Sequence, residues 1–216
     1  MVSKRLYVIG YGALSQEVYD VTKELDWKVS DYYVEDKYFN PSTTVKVLDQ
    51  VFNLPTSSSV FVAIGRNFER FRISQEIMAK RPDLLFPPLI HPSTQIASSA
   101  TIGQGSLVLR NSTISSNARI QDFVLVNNNA LVEHDSKVLE YSSVGPKASL
   151  LGSTTLGKFS FIGAHSCVLQ TRTVGEGSAL GAMSLLTSDL PSEQLWIGIP
   201  ARFERVFDYR EDIYAL

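Results

Sequence analysis

The chain has 216 residues, 44% of them hydrophobic and 19% charged, with a formal net charge of −2. That balance fits one or two packed domains, excludes a disordered chain and leaves no basic surplus to hold nucleic acid. One cysteine excludes an intrachain disulfide and a cysteine-built zinc site, and no apolar run reaches the roughly 18 residues of a bilayer span.

The opening M-V-S-K-R-L-Y-V-I-G-Y-G starts like a secretory leader, but Gly10, Gly12, Glu17 and Asp20 interrupt it within a few residues. A buried strand over Leu6 to Ile9 is the better reading, and a cytoplasmic location is expected. Gly10-Tyr11-Gly12 reads as a turn. Leu14, Val18, Val21 and Leu25 then recur at helical spacing, which predicts a helix over 13–25. Trp27 to Val34 and Ser59 to Ile64 read as strands, with Gly65-Arg66-Asn67 as the turn after the latter. A second helix is expected over 68–80, ended by Arg81-Pro82. Leu84 to Ile90 reads as a last strand, and His91-Pro92 as a boundary. Strand and helix alternate, so residues 1–91 are expected to form a parallel α/β domain of Rossmann type. A glycine turn between strand and helix can present N–H groups and a helix dipole to an anion. It is also simply a tight turn, and the sequence leaves both readings open.

From Ile96 the pattern changes. An Ile, Leu or Val recurs every six residues, sixteen times without a miss, ending at Leu186. Neither the helical nor the strand period accounts for this. Four residues after most of these positions stands Ala, Ser or Thr, as at Ala100, Ser106, Ser136 and Ser166, and glycine often follows the aliphatic residue directly. Each hexad therefore supplies a short strand and a corner, and three make a triangular coil of 18 residues. About five coils stack their branched side chains into one core. This domain is expected over 92–207, with 208–216 as a tail. A trimeric assembly is expected from the flat faces of such a prism.

The hexads resemble the hexapeptide-repeat family, which implies that the coils wind as a left-handed parallel β-helix. With the N-terminal domain added, the chain resembles the bacterial sugar acetyltransferases of the PglD/NeuD type. The resemblance rests on V-I-G-Y-G-A near the start, A-I-G-R-N at 63–67, E-H-D at 133–135 and I-G-I-P-A-R at 197–202. It implies acetyl transfer from acetyl-CoA to the amine of a UDP- or dTDP-linked 4-amino-4,6-dideoxy sugar for surface glycans. A sialic acid O-acetyltransferase is the second reading, and a non-catalytic trimeric scaffold the third.

Acetyl transfer to an amine needs a base, which histidine suits, and a donor to the oxyanion. The chain has His91, His134 and His165. His134, beside Glu133 and Asp135 on the outside of a coil, is by itself either a solvated surface residue or a base. The resemblance implies the base, with Asp135 as its partner. His165 is either a corner residue or a contact to coenzyme A, and His91 is read as structural. Where relatives carry a second histidine, nine residues after the base, this chain has Ser143, whose hydroxyl can still donate. The resemblance places coenzyme A between subunits of a homotrimer, along Gly152, Gly163, Ala164, Gly181 and Ala182, with Ala201 and Arg202 at its adenine and phosphates. It places the nucleotide sugar at Gly10, Tyr11, Gly12, Ala13, Glu35, Asp36 and Gly65, with Asn127 as a sugar contact. Gly163 and Gly181 also fit as plain corner residues, Asn127 as a turn residue and Arg202 as a solvated cation. No metal is expected, because the solenoid holds no third histidine to converge with His134 and His165.

Overall fold

The computed structural model describes residues 4–211, so 212–216 of the expected tail lie outside the described residues. The chain divides into two compact units after Leu89. In the first, β1 (Lys4–Ile9), β2 (Trp27–Val34), β3 (Lys46–Val47) and β4 (Ser59–Val62) form a parallel sheet in the order β3-β2-β1-β4. α1 (Ala13–Glu24) follows β1 and α2 (Asn67–Lys80) follows β4. Leu6, Val8, Val60, Phe61 and Val62 have no exposed surface. A central parallel strand is covered on both sides and so reads as a continuous apolar run. Val18 and Val21 of α1 and Ile73 and Ile77 of α2 complete this core.

One strand departs from expectation, and one segment without a predicted element gains short ones. Leu84 to Ile90 is not one strand. Leu85 makes an isolated bridge to Ser59 and only Leu89–Ile90 (β5) is extended in a ladder. Pro87 and Pro88 lie between them and have no N–H to donate. The segment after β2 holds β3 and two short 3-10 turns, Asp36–Tyr38 and Leu48–Asn53. Elements this short carry no readable period.

The second unit is a parallel β-solenoid. Its two-residue strands pair at intervals of 18, as in Arg119↔Lys137 and Leu125↔Ser143. They form three faces. The first carries Gln95–Ile96, Thr113–Ile114, Leu131–Val132, Ser149–Leu150, Cys167–Val168 and Leu185–Leu186; the second carries the five strands from Thr101–Ile102 to Thr173–Val174. The third includes Leu107–Val108, Leu125–Val126, Ser143–Val144, Phe161–Ile162 and Ala179–Leu180, and is extended by an antiparallel hairpin, Gln194–Gly198 and Ala201–Val206. The sixfold aliphatic positions point inward, and those from Val108 to Leu186 are at most 2% exposed. Ile96, in the end coil, is 38% exposed. The inward serines serve the corners, where backbone groups have no ladder partner. Ser106 donates to Gln121 O and accepts from Val124 N, and Ser166 donates to Gly181 O.

At the corners after Ile102 to Leu180 the third residue after the inward aliphatic takes the left-handed conformation. Asn117, Asp135, Ser153 and Thr171 do so between the first and second faces, and Phe123, Tyr141 and Phe159 between the second and third. Asn129, Lys147, His165 and Met183 do so between the third and first. No helix among the described residues is long and apolar enough to cross a membrane.

Candidate active site

His134 stands at the corner between the first and second faces. Its Nδ1 lies 2.9 Å from Asp135 Oδ2, and Asp135 Oδ1 accepts from Asn117 Nδ2, one coil away, at 3.1 Å. These bonds, that from His134 first, hold the Asp135 carboxyl below the usual carboxylate range. An ionised carboxylate only accepts, so in the neutral ring the proton belongs on Nδ1, which leaves Nε2 as the acceptor. The backbone at Asp135 is left-handed, with φ 60°. The ring lies over the next coil. A Cβ on Gly152 would come within 2.6 Å of Cε1 and Nε2, so glycine at 152 makes room for the imidazole. Glu133, His134, Leu151, Gly152, Ser153, Gln170 and Thr171 line an open groove of about 440 Å³. Among the described residues no group of three His, Cys, Asp or Glu side chains could hold a metal ion.

The other expected cofactor residues stand elsewhere on the same chain. Gly163, Ala164, Gly181 and Ala182 lie at the corner between the third and first faces. The glycines there are required by stacking: a Cβ on Gly163 would be 2.4 Å from Ala182 N, and one on Gly181 2.6 Å from the Ile197 side chain. His165 is exposed at that corner with φ 59°. Asn127 shares that corner, where its side chain donates to Val144 O at 3.0 Å. Ser143 is 3% exposed on the third face, between Leu125 and Phe161 in register. Ala201 is 1% exposed and packs into the solenoid core, so it presents almost no surface to a ligand. Arg202 is exposed and donates to Ala201 O.

In the first unit the glycine turn is partly self-satisfied. Gly10 N–H donates to Tyr33 O at 2.8 Å, and Gly12 N–H to Ser15 Oγ at 3.0 Å, while that hydroxyl donates back to Gly12 O. The turn thus presents fewer N–H groups than a glycine turn suggests. Gly10 is needed for its φ of 111° and because a Cβ would meet Ala63 O at 2.6 Å. Tyr11 is half exposed and meets Tyr32 edge to face, 5.4 Å between centroids. Ala13 begins α1. Glu35 is engaged by Arg72, 2.7 Å away, and by Lys37 at 3.4 Å, and Asp36 begins a 3-10 turn. Gly65 follows β4, beside the Gly10 turn.

No protein-family model matches the chain, and no curated protein does either. Solved structures do. PerB from Caulobacter crescentus, in complex with CoA and GDP-perosamine, is 25% identical over 95% of this chain and 99% of that one, with a TM-score of 0.87. WeeI from Acinetobacter baumannii shares the fold at 19% identity, a TM-score of 0.81, and coverage of 93% of this chain and 100% of that one. The acetyltransferase domain of PglB from Neisseria gonorrhoeae is 30% identical, with a TM-score of 0.84, over 93% of this chain and 100% of that one. The chain belongs to the PglD-type sugar N-acetyltransferases.

Within the single chain the transferase brings His134, Asp135 and Gly152 together. It does not bring Asn127, Ser143, Gly163, Ala164, Gly181 or Ala182 to them. Asn117 is not among the residues that the sequence motifs single out. Its signal was present, since Asn117 stands 18 residues, one coil, before Asp135.

Proposed function

We propose that the chain transfers acetyl from acetyl-CoA to the 4-amino group of a UDP- or dTDP-linked 4-amino-4,6-dideoxy sugar, as a cytoplasmic homotrimer serving surface glycan synthesis. The observation that carries the reading is the Asp135–His134–Gly152 arrangement, an oriented imidazole lying in an open groove. Nε2 of His134 takes the proton as the amine attacks the thioester carbonyl. The tetrahedral intermediate collapses with cleavage of the C–S bond, and the imidazolium returns a proton to the departing thiolate. Asp135 fixes the tautomer and stabilises the imidazolium formed. The nucleotide sugar is held by the first unit, at the turns after β1 and β4. PerB with CoA and GDP-perosamine, and the PglB domain with acetyl coenzyme A at 29% identity, support both co-substrates.

The split of the expected cofactor residues supports the trimer. His134 and Gly152 flank one edge of the first face, and Gly163, Ala164, Gly181 and Ala182 flank the other. Three copies turning that face to a common axis set one protomer's His134 corner against the next protomer's glycine corner. The face is suited to this. Its outward row is Gln95, Thr113, Leu131, Ser149, Cys167 and Leu185, without a charge, whereas the second face carries Arg119 and Lys137.

The test is thiol release from acetyl-CoA with UDP-, dTDP- and GDP-linked 4-amino sugars. Turnover with one of them, lost in His134→Ala while sedimentation still gives a trimer, is the expected result. Near-full activity of His134→Ala overturns the mechanism. Turnover on sialic acid alone favours O-acetylation.

A further inference from the structure

Arg70 is a fully buried cation that the chemistry above does not use. It lies on α2, is 0% exposed, and points at the turn after β4. One terminal nitrogen donates to Ile64 O at 2.8 Å and Gly65 O at 3.0 Å, and the other to Asn67 Oδ1 at 2.9 Å. Burying a guanidinium is costly, and an apolar side chain of like volume would fill the space without that penalty. What the guanidinium adds is orientation. In a trans peptide the carbonyl and the following N–H point opposite ways. Holding Ile64 O and Gly65 O inward therefore turns the N–H groups of Gly65 and Arg66 away from Arg70. The same turn lies beside Gly10, whose missing Cβ lets it approach Ala63 O. The two turns end adjacent parallel strands, where α/β sheets bind their ligands. The Gly10 turn spends the N–H groups of Gly10 and Gly12 internally. With those two donors spent, the β4 turn has a larger share in holding an anion.

We propose that Arg70 is a positioning residue for the diphosphate of the nucleotide sugar. It fixes the two peptide units of the β4 turn with their N–H groups toward the phosphates and sets a positive charge directly behind them. Low dielectric around the buried charge extends its reach. This rests on the assignment of the nucleotide to the first unit.

The experiment is calorimetric titration of the full chain with UDP, dTDP and GDP, and with the corresponding nucleosides. The wild type is expected to bind at least one diphosphate. Arg70→Met should weaken that diphosphate at least tenfold and Arg70→Lys less. Acetyl-CoA affinity should stay within twofold, and the preference for diphosphate over nucleoside should shrink. In turnover, KM for the nucleotide sugar rises while kcat is largely kept. Diphosphate affinity in Arg70→Met equal to wild type overturns the proposal. So does an equal loss for diphosphate and nucleoside, which marks general damage to the unit. Should Arg70→Met fail to fold, hydrogen exchange on the wild-type chain decides. The amides of Gly65 and Arg66 should slow on adding the diphosphate, and no protection there overturns the proposal. A wild type that binds none of the three diphosphates instead removes the underlying assignment.

Discussion

Gly152 and His134 are two halves of one contact: the imidazole occupies the space that a Cβ at 152, 2.6 Å from Cε1 and Nε2, would fill. The backbone at Gly152 is not left-handed, so alanine there is sterically a problem only for the ring. Gly152→Ala should displace the imidazole by about an ångström and lower kcat roughly 10- to 100-fold. Thermal unfolding should stay close to wild type, since His134 is exposed and the core is untouched. Unchanged kcat would mean that the ring does not work from this position.

Asp135→Asn tests the charge of the partner apart from its shape. Asparagine tolerates the left-handed backbone, so the corner should keep its form. The amide oxygen can still accept from Nδ1, but the negative charge that stabilises the imidazolium is gone. A kcat loss on the order of 10- to 100-fold is expected, smaller than in His134→Ala. Asn117→Ala leaves the charge and removes one bond to it, so its loss should be smaller again. Steady-state rates for the three variants check the order.

The repeat was legible because one aliphatic residue in six has no alternative explanation, and the inward burial of Val132, Val144 and Ile162 follows from it. The first unit was legible where strands and helices were long. Leu84 to Ile90 misled because an apolar run hides the missing donors of Pro87 and Pro88. The His134–Asp135 pair could be read from adjacency, whereas Gly152 beneath it needed the coil length of 18. Arg70 was invisible, because a charged residue on an amphipathic helix reads as solvated. Glu35 is expected at the nucleotide sugar, and only tertiary structure brings Arg72 to it from 37 residues away.

Phe123, Tyr141 and Phe159 stack along one corner, with centroids 5.0 and 5.9 Å apart, and Tyr209 from the C-terminal segment extends the column at 5.0 Å from Phe159. The column ends on glycines, for a Cβ on Gly177 would meet the Tyr209 ring at 2.3 Å. Gly177→Ala should therefore expel Tyr209 and strain a φ of 63° as well. The left-handed cost alone is about 1–2 kcal/mol. Tyr209→Ala loses a stacked pair worth about 0.5–1.5 kcal/mol beyond its area. Urea unfolding at one fixed protein concentration should rank wild type above Tyr209→Ala, and Tyr209→Ala above Gly177→Ala. Equal midpoints would show that the segment beyond Phe207 adds nothing to the solenoid.

Acid should act on the first unit through Asp83. Arg81 donates to both its oxygens at 2.7 Å and to Phe52 O at 2.7 Å, tying the end of α2 to the Leu48–Asn53 turn. The Arg81 bonds, the largest cause, lower the Asp83 pKa from 3.8 to about 2. The folded state therefore binds this proton less readily than the unfolded one. The pair's contribution is complete above pH 4 and is lost as pH falls through about 2. Asp83→Asn removes that dependence. Its melting temperature should lie below wild type at pH 6 and fall less steeply between pH 4 and pH 2, so the two curves converge at the acid end. Parallel curves over that interval would show that Asp83 carries no such linkage.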